Sequence, residues 1–189
     1  MNKIIVIVGF SNSGKDTVAQ KIAKDYGYEF VVSTTTRKMR DYESERNPYI
    51  FIDNKVFETM IKNGDFIEYR AYHTEVDGIK ETWYYGVENS EIKPNTNYVV
   101  VLDIIGLRGF KEHFGDDCTS FFLTVDEETR KQRCLNRGDF DETEWLRRLE
   151  DDNNRFPNSV ILEELDCVVL SYEVEETVEA IMKEVRFNG

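Results

Sequence analysis

The order of apolar and polar residues predicts an alternation of buried strands and amphipathic helices. Residues 4–8 form a continuous apolar run, which is typical of a strand buried on both faces. A helical spacing follows, with Val18, Ala19 and Ile22 on one face and Gly27 at its end. Residues 28–32 predict a second strand. Strand, helix and strand in this order indicate a βαβ unit with parallel pairing.

The rest of the chain divides into more of this core and one different segment. Apolar runs predict further strands at 97–103, 119–125 and 166–170, and helical spacings predict helices at 107–114 and 174–185. Residues 33–94 instead predict a helix at about 55–62 and an extended hairpin whose turn is Asp77-Gly78. We therefore expect one α/β domain over residues 1–189. Its core, residues 1–32 and 95–189, contains a five-stranded parallel sheet, and residues 33–94 are an insertion.

The first strand leads directly into Gly9-Phe10-Ser11-Asn12-Ser13-Gly14-Lys15-Asp16-Thr17. The spacing G-x-x-x-x-G-K between a buried strand and a helix is typical of a phosphate-binding loop. Backbone N–H groups and the helix dipole attract the anion, and the lysine adds a formal charge. The hydroxyl residue that usually follows the lysine is replaced by Asp16, with Thr17 one place later. The alternative is an ordinary glycine turn before a helix.

Composition limits the classes of partner. The formal net charge of -13 repels nucleic acid and anionic membranes, so a phosphate-binding protein must concentrate its basic residues locally. The three cysteines are far apart in sequence, and no signal-peptide pattern opens the chain. No apolar run approaches the roughly 18 residues of a membrane helix. We expect a cytoplasmic protein without a nucleic-acid or membrane partner.

Several motifs follow one another in the inserted segment. In order they are Ser33, Thr35-Thr36-Arg37, Arg40, Tyr49, a helix, Asn63-Gly64-Asp65-Phe66-Ile67-Glu68, and Tyr84-Tyr85-Gly86. This order resembles the substrate-binding segment of guanylate kinases, and the resemblance extends over nearly the whole chain. It implies a P-loop core with an inserted subdomain, and transfer of a phosphoryl group from Mg-ATP to a nucleoside monophosphate, GMP or dGMP. The implied ATP site comprises Gly9, Ser11, Asn12, Ser13, Gly14, Lys15, Asp16 and Thr17.

The resemblance also implies roles for the acceptor site. Arg37 and Arg40 have guanidinium forks that suit a phosphate, although two solvated arginines in a loop are the alternative. Glu68 is implied to accept hydrogen bonds from guanine N1 and N2. The alternative is a glutamate that faces water from a half-buried strand. The implied substrate-binding residues are Ser33, Arg37, Arg40, Tyr49, Glu68, Tyr85, Val87 and Asp103.

Two positions depart from the family pattern. Val87 stands where guanylate kinases usually have a hydroxyl residue that helps to read the base, and Ile105 stands where they have the second aspartate of L-D-x-D. Both changes weaken guanine specificity. Asp103 matches the first aspartate, and we assign it with Asp16 and Thr17 to Mg²⁺, directly or through water. Its alternative role is the N-cap of the following helix.

Basic residues concentrate around Gly138-Asp139-Phe140, where the flanking arginines are Arg130, Arg133, Arg137, Arg147 and Arg148. This resembles the short arginine-rich lid of nucleoside-monophosphate kinases, at about 136–146. Arg133, Arg137 and Arg148 match the lid motif, so the implied catalytic residues are these three with Lys15 and Arg37. Glu144 and Arg148 are four residues apart, a spacing that permits an ion pair on one helix face. The alternative is therefore that one or two of the arginines stabilise the helix instead of binding phosphate.

The sequence thus predicts a nucleoside-monophosphate kinase that is a monomer or a homodimer. Two alternatives remain at this point. One is a kinase of the same build for another base, a deoxynucleotide or a small phosphorylated acceptor. The other is a non-catalytic protein-binding module, which would be expected to lose Lys15 or the lid arginines that this chain keeps.

Overall fold

The computed structural model describes residues 3–39, 43–44, 49–76, 79–138 and 140–187. The strands are β1 (Ile4–Gly9), β2 (Glu29–Val31), β3 (Ser33–Thr35), β4 (Tyr49–Phe51), β5 (Phe66–Val76), β6 (Ile79–Glu88), β7 (Tyr98–Val101), β8 (Cys118–Thr124) and β9 (Cys167–Leu170). The helices are α1 (Lys15–Tyr26), α2 (Asn54–Asn63), α3 (Ile104–Phe114), α4 (Glu127–Arg137), α5 (Glu142–Arg155), α6 (Asn158–Glu164) and α7 (Val174–Phe187). Within these residues no helix is both long enough and apolar enough to cross a membrane.

The core is a parallel sheet with strand order β2-β7-β1-β8-β9, so the predicted five-stranded parallel sheet is confirmed. Strand β1 is central and all six of its residues are buried. Its Ile4 pairs with Tyr98 of β7 and with Cys118 of β8. Strand β7 therefore separates β1 from β2, although the chain links β1 and β2 through α1. The carboxyl ends of all five strands meet at one edge, where a ligand site of an open α/β sheet lies.

Helices cover both faces of this sheet. Because successive strand residues point to opposite faces, Ile5 and Ile7 of β1 join one apolar cluster and Val6 joins the other. The cluster with Ile5 and Ile7 includes Ile22 of α1 and Ile181 of α7. The cluster with Val6 includes residues of α3. Two-sided coverage explains why the core strands are continuous apolar runs.

The insertion forms a second sheet with order β4-β3-β6-β5. Strands β5 and β6 form the predicted long hairpin, paired from Phe66↔Glu88 to Val76↔Ile79, while the turn at 77–78 lies outside the described residues. Helix α2 confirms the helix expected at 55–62. It anchors this sheet through Phe57, whose ring stacks on Phe66 and Tyr84 at centroid distances of 4.3 and 5.2 Å.

Helix α3 of the core packs closely against β5 of the insertion. A Cβ added to Gly109 would lie 2.7 Å from the Cβ of Glu68, and one added to Gly106 would lie 3.3 Å from a Glu68 carboxylate oxygen. A larger residue at 109 would force β5 or α3 to shift, and one at 106 would require neighbouring side chains to move by a few tenths of an ångström. The two glycines therefore let the insertion approach the carboxyl edge of the core sheet.

Candidate active site

The loop after β1 has the backbone that a phosphate cradle needs. Gly9 and Gly14 have φ values of 155° and 95°, and a Cβ at Gly9 would lie 2.3 Å from the carbonyl oxygen of Leu123. Lys15 donates from Nζ to the carbonyl oxygens of Gly9 and Phe10 at 2.9 and 2.7 Å. Burial lowers the pKa of Lys15, and the nearby carboxylates of Asp16 and Asp152 partly offset this. The ammonium group thus lies inside the loop.

Residues from the far end of the chain hold this loop. The backbone N–H and hydroxyl of Ser11 donate to the two oxygens of Asp152 at 2.8 and 3.1 Å. Arg130 donates to the same carboxylate at 3.0 Å, and both side chains of this ion pair are buried. The hydroxyl of Ser171 donates to the carbonyl of Ser13 at 2.8 Å. Sequence reasoning missed Asp152, because no local motif surrounds it.

Two of the implied lid arginines also contact the loop. Arg133 donates to the carbonyl oxygens of Ser13, Ser171 and Tyr172 at 2.9, 2.6 and 2.9 Å. Arg137 donates to the side-chain oxygen of Asn12 at 2.9 Å. In this structure the guanidinium of Arg133 fastens the loop to the segment after β9. Its predicted contact with a transferring phosphoryl group stays a prediction.

A cavity of about 340 Å³ lies at the carboxyl edge of the core sheet, between the core and the insertion. Its walls include Ser11 and Lys15 of the loop, Tyr49 and Tyr85 of the insertion, and Arg148 of α5. The structure therefore brings some of the implied donor, acceptor and lid residues to one open cleft. This is the candidate active site.

Glu144 holds two arginines of α5, Arg147 and Arg148. Arg148 and Arg147 donate to it through Nε, each at 2.7 Å. Partial burial raises the pKa of Glu144, but these hydrogen bonds outweigh it and bring the pKa to about 2. The predicted i,i+4 pair of Glu144 with Arg148 is confirmed. Arg148 nevertheless lines the cavity, so pairing and a functional role are compatible.

The implied acceptor-phosphate residues lie together in the insertion. Arg37 is buried and donates to both oxygens of Glu43 at 3.0 and 2.8 Å, so the alternative of a solvated side chain is wrong for this arginine. Its guanidinium carbon lies 5.5 Å from the ring centre of Tyr49, whose ring contacts Tyr85. Arg40 lies outside the described residues.

Glu68 is buried rather than exposed, so the alternative of a water-facing strand residue is wrong. Both of its oxygens accept from Nη1 of Arg70 at 2.7 and 2.8 Å, and Nε of Arg70 donates to Asp103 at 2.8 Å. Burial raises the pKa of Glu68, and Arg70 partly offsets this. Burial would lower the pKa of Arg70, but Asp103 and Glu68 raise it above its usual value.

Sequence reasoning missed Arg70, although one signal was available. Residues i and i+2 of a strand share a face, so Arg70 and Glu68 were placed to meet.

At the two positions that depart from the family pattern, Val87 is fully buried in the core cluster and Ile105 is 45% exposed. Neither Val87 nor Ile105 is among the residues that line the cavity, whereas Arg70 lines it with a guanidinium group.

Asp103 caps α3, since its Oδ1 accepts from the backbone N–H of Gly106 at 2.9 Å. The N-cap alternative is thereby confirmed, and Oδ2 accepts from Arg70. Among the described residues, no three His, Cys, Asp or Glu side chains form a group that could hold a metal ion. Asp16 and Thr17 are exposed in the first turn of α1, beside Lys15. A metal that is bound mainly by phosphates and water needs only one or two such protein ligands.

A glycine-hinged loop between a central parallel strand and a helix, beside a cavity lined by lysine and arginine side chains, is typical of a P-loop phosphotransferase fold. The family model described as guanylate kinase matches residues 1–186. The chain therefore belongs to the guanylate kinase family, and the resemblance read from its motifs is confirmed.

Individual relatives agree with this assignment. The chain is 29% identical to a guanylate kinase of Prochlorococcus marinus over 191 residues, covering 98% of both proteins. It is 28% identical to a guanylate kinase of Clostridium tetani, covering 94% of this chain and 82% of the relative. Among solved structures, a guanylate kinase of Anaplasma phagocytophilum matches with a TM-score of 0.69 and 25% identity, covering 98% of this chain and 85% of the other.

Proposed function

We propose that the protein transfers the γ-phosphoryl group of ATP to GMP or dGMP, giving ADP and the nucleoside diphosphate. One observation supports this most directly: a single cavity is lined by Lys15 of the phosphate loop, by Tyr49 and Tyr85 of the insertion, and by Arg148. The relatives named above are guanylate kinases. Phosphoryl transfer requires mainly positioning and neutralisation of charge, which these residues offer.

On the donor side, the backbone N–H groups of the loop and Lys15 hold the phosphates of ATP. Lys15 now bonds to the carbonyl oxygens of Gly9 and Phe10, and a bound phosphate offers it a charged partner instead. Asp16 and Thr17, exposed beside Lys15, would hold Mg²⁺ through water. When bound, Mg²⁺ neutralises charge on the phosphates. Asp103 fits this role less well, because both of its oxygens accept hydrogen bonds.

On the acceptor side, Arg37, Arg40, Tyr49 and Tyr85 hold the phosphate of the monophosphate. Arg37 and the two tyrosines are within contact of one another. A buried guanidinium can bind a phosphate through two parallel hydrogen bonds, which fixes orientation as well as charge. Ser33 of β3 is buried and pairs with Tyr49 of β4.

Arg137 and Arg148 approach the transferring group from α4 and α5, whose facing ends belong to the lid at about 136–146. Closure of the lid brings their charges to the phosphoryl oxygens and excludes the water that would otherwise hydrolyse ATP. Arg133 contributes by holding the loop in shape through three carbonyl oxygens.

The test is an ADP-release assay with ATP and a panel of GMP, dGMP, AMP, CMP, UMP and dTMP. We expect kcat/KM to be highest for GMP or dGMP, and chromatography to show the matching diphosphate. ATP hydrolysis without a diphosphate product would overturn the proposal. A pyrimidine monophosphate as the best acceptor would overturn the assignment of the base.

A further inference from the structure

Arg70 covers the carboxylate that the family resemblance assigns to guanine. Its Nη1 bonds to both oxygens of Glu68 at 2.7 and 2.8 Å, and its Nε bonds to Asp103 at 2.8 Å. The side chains of Arg70 and Glu68 are 8% and 4% exposed. Arg70 is among the described residues that line the cavity, whereas Glu68 is not. The group that the cavity wall offers to a ligand is thus a cation with N–H donors.

Helix α3 closes the other side of Glu68. A Cβ on Gly109 would lie 2.7 Å from that of Glu68, and one on Gly106 would lie 3.1 Å from Nη1 of Arg70. A base could therefore reach Glu68 only by displacing Arg70. Breaking a buried ion pair leaves a charge without a partner. This would weaken the binding constant of the base by roughly a hundredfold or more.

Arg70 still has hydrogen-bond donors to offer. Nε and Nη1 are bonded to carboxylates, while Nη2 has no hydrogen-bond partner within the described part of the chain. The guanidinium lies 5.7 Å from the ring centre of Tyr85, which also lines the cavity. Glu68 and Asp103 together carry two negative charges against its single positive charge, and Arg155 lies 3.7 Å from Asp103. The wall therefore suits a neutral group with hydrogen-bond acceptors rather than a second anion.

The acceptor atoms of guanine that match such a donor are O6 and N7, which arginine side chains contact most often in base recognition. Adenine has an amino group in place of O6, and an N–H donor facing a guanidinium gains no hydrogen bond. An arginine at this wall consequently distinguishes a 6-oxopurine from adenine without any contact to N1 or to the 2-amino group.

Building on the proposed GMP kinase function, we infer that Arg70 reads the O6 and N7 edge of the acceptor base, and that Glu68 is a positioning residue that holds Arg70. This differs from a pocket in which a carboxylate reads N1 and N2. IMP carries O6 and N7 but lacks the 2-amino group. A pocket that depends on Arg70 accepts IMP nearly as well as GMP.

The experiment measures kcat/KM for GMP, IMP and AMP with saturating ATP, in the wild type and in three variants. We expect the wild type to use GMP and IMP within about threefold of each other and AMP at least about tenfold less well. Arg70→Met keeps the apolar stem but loses the donors, so GMP and IMP should fall together and the discrimination against AMP should disappear. Glu68→Gln keeps an oxygen for Arg70 and should leave the GMP-to-IMP ratio unchanged.

Arg108→Met is the matched control. Arg108 of α3 is ion-paired with Glu164 at 2.6 Å, is 55% exposed and lies outside the residues that line the cavity. In this variant kcat/KM for GMP, IMP and AMP should stand in the same ratios to one another as in the wild type. Thermal melts check that each variant is folded. If Arg70→Met fails to fold, the GMP-to-IMP ratios of kcat/KM in the wild type and in Glu68→Gln still test whether Arg70 or Glu68 reads the base.

Failures of the two proposals give different results. A wild type that prefers GMP over IMP by roughly tenfold or more, with this preference lost in Glu68→Gln, overturns the role of Arg70 while GMP kinase activity stands. The role of Arg70 is also overturned if Arg70→Met discriminates against AMP as strongly as the wild type does. If none of the nucleotides is phosphorylated, the proposed function itself has failed.

Discussion

Arg37 and Glu43 form a buried ion pair with two hydrogen bonds, Nη1 to Oε2 at 3.0 Å and Nη2 to Oε1 at 2.8 Å. Their side chains are 5% and 2% exposed. The carboxylate occupies the edge of the guanidinium that a phosphate would use. Binding of an acceptor phosphate at Arg37 is therefore an exchange of one anion for another.

This exchange predicts opposite effects of two substitutions. Arg37→Ala should raise KM for GMP by roughly 10- to 150-fold with a smaller change in kcat, since a charge-assisted contact to the acceptor is lost. Glu43→Gln removes the competing charge and should lower the same KM. Initial rates at varied GMP and saturating ATP measure both. An Arg37→Ala variant altered only in its KM for ATP would contradict the assignment of this residue to the acceptor.

Lys15 is predicted to act on the phosphoryl oxygens in the transition state. Lys15→Ala should reduce kcat by about a hundredfold or more, which corresponds to roughly 2.7 kcal/mol. Lys24→Ala is the control, because Lys24 is exposed in the last turn of the same helix. The kinase mechanism would be refuted by a Lys15→Ala enzyme that turns over at a rate near that of the wild type.

Arg148 lines the cavity beside the loop and is held by Glu144. Arg148→Ala should lower kcat and kcat/KM together, by on the order of a hundredfold, because its contact forms with the transferring group. Arg186→Ala, an exposed arginine of α7, serves as the control. A large increase in KM at constant kcat would show that Arg148 binds a substrate in its ground state.

Gly109→Ala should destabilise the protein. In an ordinary helix this change stabilises by about 0.5 to 1 kcal/mol, but here the new Cβ would lie 2.7 Å from the Cβ of Glu68. Overpacking of this kind costs roughly 1 to 3 kcal/mol, so the clash outweighs the gain. Urea unfolding measures the free energy, with Glu112→Ala on the exposed face of α3 as the control. Equal or greater stability of Gly109→Ala would show that β5 moves freely relative to α3.

Cys118 predicts how stability depends on alkaline pH. Burial raises the pKa of its thiol to about 12, whereas an unfolded cysteine titrates near 8.5. Between these values the folded state keeps a proton that the unfolded state has lost, so the free energy of unfolding decreases as pH rises. Below this window the contribution is intact. Guanidinium midpoints at pH 8 and pH 10 should differ more in the wild type than in Cys118→Ala.

The sequence predicted those parts of the fold whose signals are local. The apolar run of residues 4–8 identified the central strand, and Gly9, Gly14 and Lys15 identified the loop, because each signal lies within one element and its neighbours. The helix at 55–62 and the hairpin were predicted for the same reason. The order of the parallel strands was not, since β7 enters between β1 and β2 from a distant part of the chain.

The candidate site was predicted less completely, because its electrostatics depend on contacts between distant residues. Arg70 gains its importance from Asp103, which the packing of α3 on β5 brings to it. Glu43 neutralises Arg37, although no sequence motif includes Glu43. Motif matching identified several residues that line the cavity, such as Lys15, Tyr85 and Arg148, but the partner of each charge depends on tertiary structure.

The fastening of the phosphate loop has a consequence for biosynthesis. Ser13 accepts from Ser171, which is 158 positions later in the chain, and Ser11 donates to Asp152, which is 141 positions later. Contacts that close such long loops form late in folding because of their entropic cost. During translation the loop is made among the first residues but acquires its held shape only after residue 171 has left the ribosome. A ribosome-bound nascent chain stopped before that point would display the complete glycine-lysine motif and yet have little affinity for nucleotide.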